Sequence, residues 1–108
     1  MANTFVSYVN KDVGTSAATV VTVGASTQTT VIGLSLANTS TSPITVSAYF
    51  TRSAVDYYLV KGATVAVGGA LVVVGGDQKV VLMTGDILKV VSSTAASADV
   101  VTSVLNIT

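Results

Sequence analysis

The most constraining feature of this sequence is a series of short valine-rich runs separated by glycine and aspartate. The stretch Gly69–Val91 shows it best and reads GALVVVGGDQKVVLMTGDILKVV. Its apolar runs are Leu71–Val74, Lys79–Met83 and Ile87–Val91, and the separators are Gly75-Gly76-Asp77 and Gly85-Asp86. Runs of this length between Gly and Asp are typical of short strands joined by tight turns. We therefore predict three successive strands here.

Period-two alternation extends the same prediction to the rest of the chain. In Ile44–Phe50, four apolar residues beginning with Ile44 alternate with Thr45, Ser47 and Tyr49, which indicates a strand with one buried face. The other predicted strands are Phe5–Val9, Ala18–Val23, Thr29–Ala37, Val55–Val60, Thr64–Val67 and Asp99–Thr108. Clusters of turn-forming residues separate them at Asn38–Pro43, Thr51–Ser53 and Lys61–Ala63.

These patterns predict an all-β fold. No apolar pattern with helical spacing persists, and Val, Ile and Thr favour the pleated sheet. About 8–10 short strands with regular turn signals are typical of an antiparallel β-sandwich or a jelly-roll-like barrel. Neither the strand order nor the buried face of Asp99–Thr108 follows from the sequence.

A chain of 108 residues accommodates one domain. We divide it into residues 1–12, an N-terminal arm or edge strand, and residues 13–108, a single β-sandwich domain. In Phe5–Val9 both faces carry apolar groups, with Phe5 and Val9 on one side and Val6 and Tyr8 on the other. This suits an arm lying between neighbouring subunits and an edge strand of the chain's own sheet equally well.

The scarcity of charge predicts association with other proteins. Charged residues make up 9% of the chain, against about 25% in an average soluble domain. With a formal net charge of +0, little opposes contact between copies, so we expect a homo-oligomer. The apolar runs are too short to span a membrane, and no basic stripe supports nucleic-acid binding, so we expect neither partner.

The inventory of chemical groups is small. His, Cys and Glu are missing, which excludes the common catalytic triads, thiol chemistry and zinc sites. We expect no enzyme activity, no cofactor and no metal, and we interpret the Gly–Asp pairs as turns because a calcium site needs more carboxylates close in sequence. Asp56 is interpreted as a solvated, outward-facing residue near Arg52.

A group of aromatic residues is more informative. Tyr49, Phe50, Tyr57 and Tyr58 fall on two consecutive predicted strands, with Arg52 between them. If these strands form a hairpin, Phe50 and Tyr57 face the core while Tyr49 and Tyr58 face outward. Exposed Tyr beside Arg is typical of interfaces, but a sugar-stacking platform of Tyr49, Tyr57 and Tyr58, or ordinary surface tyrosines, fit as well. The candidate interface residues are Phe5, Tyr8, Tyr49, Arg52, Tyr57 and Tyr58.

Five segments of the chain carry a resemblance: MANTFVSYVNKDVGTSAATVVTV at the start, VIGLSLANTS from Val31, YYLVK from Tyr57, LVVVGGDQKVVLMTGDILKVVSS from Leu71, and ADVVTSVLNIT at the end. With these segments the sequence resembles a family of small virion proteins from marine and cyanobacterial tailed phages. The resemblance covers nearly the whole chain. It implies a small β-sandwich accessory protein of the phage particle, and it implies no catalytic or metal-binding residue.

We therefore hypothesise a structural protein located in the virion and assembled in the host cytoplasm. The favoured role is a capsid decoration, or cement, subunit that contacts the major capsid protein. A neck, baseplate or tail-fibre attachment component that contacts neck or tail proteins is the alternative within the same class. A carbohydrate-binding module is the alternative from another class.

Overall fold

The computed structural model describes residues 3–75 and 78–108. Within these ranges the chain forms nine strands and no helix. The strands are β1 (Asn3–Val13), β2 (Ala18–Thr22), β3 (Gln28–Asn38), β4 (Ile44–Arg52), β5 (Val55–Val65), β6 (Ala70–Val74), β7 (Val80–Leu82), β8 (Ile87–Ser92) and β9 (Ala98–Ile107). The predicted all-β fold is confirmed.

The strands form two antiparallel sheets that pack face to face. Sheet A has the order β1-β9-β3-β6, and the short strand β7 pairs with the other end of β3. Sheet B has the order β2-β8-β4-β5. The chain crosses from one sheet to the other at most of its connections. With this strand order, the two facing four-stranded layers form a β-sandwich with jelly-roll topology, and β7 is an addition to it.

The inner faces of both sheets bury an aliphatic core. Its largest fully buried apolar members are Val31, Leu34, Leu36, Val46, Val74, Leu82, Leu88, Val90, Val100 and Val104. The alternation predicted for β4 is confirmed, because Ile44, Val46 and Ala48 are buried and Phe50 packs half-buried against the core. Strand β9 buries the face that contains Val100 and Val104, which the sequence left undecided.

The stretch Gly69–Val91 forms three strands, but these strands do not pair with one another. Both β6 and β7 pair with β3 in sheet A, while β8 pairs with β2 and β4 in sheet B. The second predicted strand, Lys79–Met83, is shorter and comprises Val80–Leu82. Of the predicted separators, Gly76 and Asp77 lie outside the described residues.

The predicted turn at Lys61–Ala63 is wrong, because β5 continues through it. The register of β5 against β4 shifts at two points, which indicates bulges that accommodate additional residues in β5. Gly62 has a φ of 67°, and its N–H donates to the hydroxyl of Ser47 at 3.0 Å. Bulges and turns both use residues with positive φ, so a glycine signal alone does not distinguish them.

The connection from β3 to β4 is organised by one buried side chain, Asn38. Its Oδ1 accepts from the N–H and the hydroxyl of Ser40, at 2.9 and 2.7 Å. Its Nδ2 donates to the carbonyls of Ser42 and Val65, at 2.9 and 3.1 Å. The predicted turn at Asn38–Pro43 is therefore confirmed, and the amide also ties this crossover to β5.

Strand β1 is an edge strand of sheet A. It pairs with β9 from Asn3, opposite Ile107, to Val13, opposite Ala98. Val6 and Tyr8 point inward and pack against the core, whereas Phe5 and Val9 point outward and are exposed. Within one chain, β1 is thus the last strand of sheet A, and none of the described strands pairs with its outer edge.

The hairpin between β4 and β5 turns at Ser53-Ala54, one residue later than predicted, and Arg52 belongs to β4. Arg52 lies opposite Val55, so the loop contains two residues, and both have positive φ, 52° for Ser53 and 63° for Ala54. This conformation matches a type I′ turn, which normally contains Asn-Gly because Cβ atoms are unfavourable there.

We predict that replacing Ser53-Ala54 by Asn-Gly raises the free energy of unfolding by about 1 kcal/mol, because it relieves two left-handed backbone conformations. Chemical denaturation would measure it. The control is Ala66→Gly, since Ala66 is an exposed turn residue outside the positive-φ set and should be slightly destabilised by glycine. Equal effects of both changes would contradict the prediction.

Candidate interaction surfaces

The outer surface of sheet A is apolar, and we call it the apolar face. One row crosses four strands directly opposite one another: Val9, Val101, Ser35 and Val72. A second row contains Phe5, Leu105, Thr30 and Val81. Between them, Ser7 of β1 lies opposite Ser103 of β9. Residues directly opposite in antiparallel strands point to the same side, so these side chains share one surface.

The side chains of the apolar face project into solvent. Phe5 is 76% exposed and Val9 is 73% exposed, and Val72, Val81 and Val101 are also exposed. Fully burying one such side chain contributes about 1.5–3 kcal/mol. These side chains form two rows separated by Ser7 and Ser103, and such a group of exposed apolar residues is a candidate interaction surface, unlike a single exposed valine.

A pair of opposite charges lies at one border of the apolar face. Lys11 Nζ lies 3.3 Å from Asp99 Oδ2, and the backbone N–H of Asp12 donates to Asp99 Oδ1 at 3.1 Å. The Asp12 N–H, and then Lys11, hold the pKa of Asp99 below its ordinary value. Because these opposite charges neutralise each other, the two apolar rows adjoin a border without strong net charge.

The outer surface of sheet B has a different composition, and we call it the polar face. One row across its four strands contains Thr19, Lys89, Tyr49 and Tyr58, and a second contains Thr22, Ile87, Thr51 and Asp56. Asp56 is exposed and accepts from the Thr51 hydroxyl at 2.7 Å, so its predicted outward orientation is confirmed. The contrast between the faces indicates that the apolar face is the one suited to burial.

Tyr49 and Tyr58 form a cross-strand pair on the polar face, with ring centroids 4.9 Å apart. The expected exposure of Tyr49 is wrong, since the residue is only 9% exposed where the rings meet. Burial, followed by Asp56 and Tyr58, raises the pKa of the Tyr49 hydroxyl. Tyr58 is half-exposed, and Lys61 Nζ lies 5.0 Å from its ring centroid.

Tyr57 points to the opposite side of β5 and stacks on Phe50, with centroids 5.4 Å apart. The predicted hairpin pairing is confirmed, but Tyr57 is half-exposed because it lies near the hairpin end. Tyr49, Tyr57 and Tyr58 are therefore divided between two sides of sheet B. They do not form the single platform that the sugar-binding alternative requires.

Arg52 forms its ion pair with Asp86, and Asp56 lies opposite Thr51, the residue next to Arg52. Arg52 Nε donates to both carboxylate oxygens, at 2.9 and 3.1 Å, and Nη2 donates to Oδ2 at 2.6 Å. The guanidinium also lies over the ring of Phe50, 5.2 Å from its centroid. Through these contacts, Arg52 connects the end of β4 to the turn that contains Asp86, at one end of the sandwich.

Asp86 is 1% exposed and organises the turn between β7 and β8. Its Oδ2 accepts from the N–H of Met83 at 2.8 Å, and its own N–H donates to the Met83 carbonyl at 3.0 Å. The Arg52 guanidinium, and secondarily the Met83 N–H, hold the pKa of Asp86 below its ordinary value against the effect of burial. The Gly85-Asp86 turn predicted from sequence is confirmed.

The six candidate residues thus do not form one site. Phe5 belongs to the apolar face, whereas Tyr8 points toward the core from the same strand. Tyr49 and Tyr58 lie on the polar face, and Arg52 and Tyr57 lie at the hairpin end. The residues missed were Val9, Val72, Val81 and Val101. The sequence did contain a signal for this surface. Strands β1 and β9 are apolar on both faces, although only one face of each can enter the core.

Other kinds of site are not found in the described part of the chain. Residues 3–75 and 78–108 contain no group of three or more acidic, His or Cys residues placed to hold a metal ion, and they enclose no pocket. In the same ranges, no helix is long and apolar enough to cross a membrane.

Solved structures with a similar fold come from a bacterial appendage and a virus. One, of Bacillus endospore appendages that form a family of disulfide-linked pili, has a TM-score of 0.58 at 16% identity and covers 99% of this chain and 87% of that one. Two structures of infectious bursal disease virus, strains Gx and Gt, have TM-scores of 0.47 and 0.48 at 10% and 9% identity.

The alignments to the two viral structures cover 95% and 97% of this chain but only 36% and 32% of the viral chains, so the chain spans about a third of their length. No protein-family model and no curated protein matches the sequence significantly. The similarity to the endospore appendages, at 16% identity, concerns the fold alone.

We predict that Arg52→Met lowers the free energy of unfolding at pH 7, because it leaves a buried carboxylate without its partner. Solvent screening moderates the loss, since the Arg52 side chain is 42% exposed. Urea unfolding measures it. The double variant with Asp86→Asn should lose less than the sum of the single changes, and strict additivity would contradict the pairing.

The pH dependence follows from the direction of the Asp86 pKa. A carboxyl group with a lowered folded-state pKa stabilises the fold above its unfolded pKa of about 3.9, and this stabilisation is lost as pH falls through the folded-state pKa. The free energy of unfolding should therefore decrease on acidification. In Asp86→Asn it should depend less steeply on pH. Asp99→Asn measures the separate contribution of Asp99. An unchanged slope in Asp86→Asn would contradict this assignment.

Proposed function

We propose that this protein is a structural subunit of a phage particle, most specifically a capsid decoration subunit, which attaches to other virion proteins through the apolar face. The observation that carries the proposal is the contrast between the two outer surfaces. The rows on sheet A contain no charged residue, whereas those on sheet B contain Lys89 and Asp56. Its role is contact with proteins, and it needs no catalytic group or cofactor.

The size of the apolar face fits a protein–protein contact. Four strands about 4.8 Å apart, each contributing roughly nine residues at about 3.4 Å per residue, give a flat area of roughly 600 Å². A standard specific interface buries about 800 Å² per partner. The apolar face accounts for most of that area, and the residues at its border can supply the rest. The jelly roll is also an architecture that viral capsid domains use, which supports a virion setting as an analogy of fold.

Attachment through an uncharged surface has a physical consequence for a capsid. Apolar contacts depend little on ionic strength, because salt screens charges and leaves the hydrophobic contribution in place. A decoration subunit held this way stays bound over a wide range of salt, and each copy adds contact area that opposes separation of neighbouring shell subunits.

The neck, baseplate and tail-fibre alternatives use the same kind of contact and differ in location. A decoration subunit occurs in many copies spread over the shell, whereas a neck or tail component occurs in a few copies at one vertex. Labelling the protein in intact particles and counting copies distinguishes them. Copies confined to the tail would reject the decoration role and retain the structural one.

We predict that Val101→Lys weakens binding to particles at least tenfold, because a lysine on the interior strand β9 of the apolar face is desolvated on contact. The matched control is Thr22→Lys, an exposed position on the polar face, which should bind like the unmodified protein. Co-sedimentation with particles stripped of the protein measures both, and thermal unfolding confirms that both variants fold. Normal binding of Val101→Lys would reject this face as the attachment surface.

A further inference from the structure

The four sheet edges of this protein differ in how well they are protected against pairing with another strand. Natural edges are protected by being short, bulged, charged or interrupted by proline. Strands β2, β6 and β7 are short, and β5 is bulged and contains Asp56 and Lys61. Strand β1 pairs regularly with β9 from Asn3 to Asn10, and its first charged residue is Lys11.

The unprotected segment of β1 is also complementary to itself. In an antiparallel pair of two copies with the two-fold axis at Ser7, Phe5 lies opposite Val9 of the second copy, and Val6 lies opposite Tyr8 of the second copy. Both faces then contain pairs of an aromatic with a β-branched residue, which are favourable cross-strand neighbours. Thr4 lies opposite Asn10 at each end, and no charge meets an apolar group.

Neighbouring registers lose this match. If the axis moves by one residue to Tyr8, Phe5 lies opposite Lys11 of the second copy and Ser7 opposite Val9. If it moves the other way to Val6, Phe5 lies opposite Ser7 and Tyr8 opposite Thr4. Only the axis at Ser7 pairs every apolar side chain of Phe5–Val9 with another apolar side chain, so the sequence of β1 selects one register.

We infer that β1 joins two copies of this chain edge to edge, antiparallel and with the two-fold axis at Ser7. Sheet A then continues from one copy into the other, and the two apolar faces form one surface of twice the width. Such a contact is isologous and closes at two copies, because each β1 has only one free edge. The inference deepens the proposed assembly function, on which it rests, by naming a second copy as one partner.

Disulfide cross-linking tests the register. The chain contains no cysteine, so Ser7→Cys introduces a single thiol. In the proposed dimer the two residues face each other with Cα atoms about 4.5–5.5 Å apart, within the range of a disulfide. The matched control is Ser103→Cys, exposed on the same face and opposite Ser7 on β9. Its two copies would be three strand spacings apart, roughly 14 Å, which is too far.

Mild oxidation should cross-link most of Ser7→Cys into covalent dimers and leave Ser103→Cys without a cross-link. Cross-linking of Ser103→Cys alone would show contact between faces and overturn the inference. Equal cross-linking of both variants would show non-specific association and overturn it as well. A Ser7→Cys protein that remains uncross-linked, together with a monomeric unmodified protein in sedimentation, would also overturn it.

Charge pairing gives an independent test that needs no oxidant. Ser7→Lys and Ser7→Asp should each dimerise at least tenfold more weakly, since like charges would lie opposite each other on the axis. An equimolar mixture of the two should restore the dimer, and Ser103→Lys should dimerise normally. No recovery in the mixture would overturn the inference.

The outcomes separate this inference from the proposed function. If Ser7→Cys cross-links and Val101→Lys fails to bind particles, both the edge contact and the attachment surface stand. If the unmodified protein is monomeric and Val101→Lys still fails to bind particles, the edge inference fails while the proposed function stands. If the unmodified protein dimerises and Val101→Lys binds particles normally, the proposed attachment surface fails instead.

Discussion

The rest of the structure depends on the packing of two sheets whose strands each bury only one face. Sheet B fits this constraint more closely, because the outer sides of β4 and β8 place Thr45, Ser47, Thr51 and Lys89 beside the apolar Tyr49, Ile87 and Val91. Sheet A does not, because β1 and β9 are apolar on both sides. The side facing sheet B supplies Val100 and Val104 to the core, and the other side forms the apolar face. The same excess of valine that builds the core therefore leaves a surface for another protein.

One ion pair secures the end of the sandwich where the hairpin and the β7–β8 turn meet. Asp86 is buried while Arg52 remains partly solvated, so the arginine neutralises a charge that the turn requires without being fully desolvated itself. Elsewhere in the described residues, backbone and amide hydrogen bonds, such as those of Asn38, close the connections. The Arg52–Asp86 pair thus lies at an end of the fold, away from the two rows of the apolar face, which contain no charged residue.

Local patterns predicted the fold class, most strands and most turns, because alternation and turn chemistry act over a few residues. The bulge at Gly62 was predicted as a turn, since both use positive φ and only the pairing with β4 distinguishes them. The partner of Arg52 could not be predicted, because Asp86 lies 34 residues away and meets it only after the sheets pack. Among the residues of the apolar face, Phe5 was predicted from the apolar pattern of its own strand. Val72 and Val81 could not be assigned to this face without knowing the strand order of sheet A.

The strand order also explains why the open edge and the apolar face do not compete. Pairing along β1 extends sheet A within its own plane, whereas attachment through the apolar face occurs perpendicular to that plane. If both contacts used the apolar face, the two partners would compete for the same valines. In the proposed assembly the edge of β1 meets the second copy and the rows of the apolar face meet the particle, so two partners can bind at once. Pairing of two copies would then strengthen attachment, because it presents two linked surfaces to the same particle.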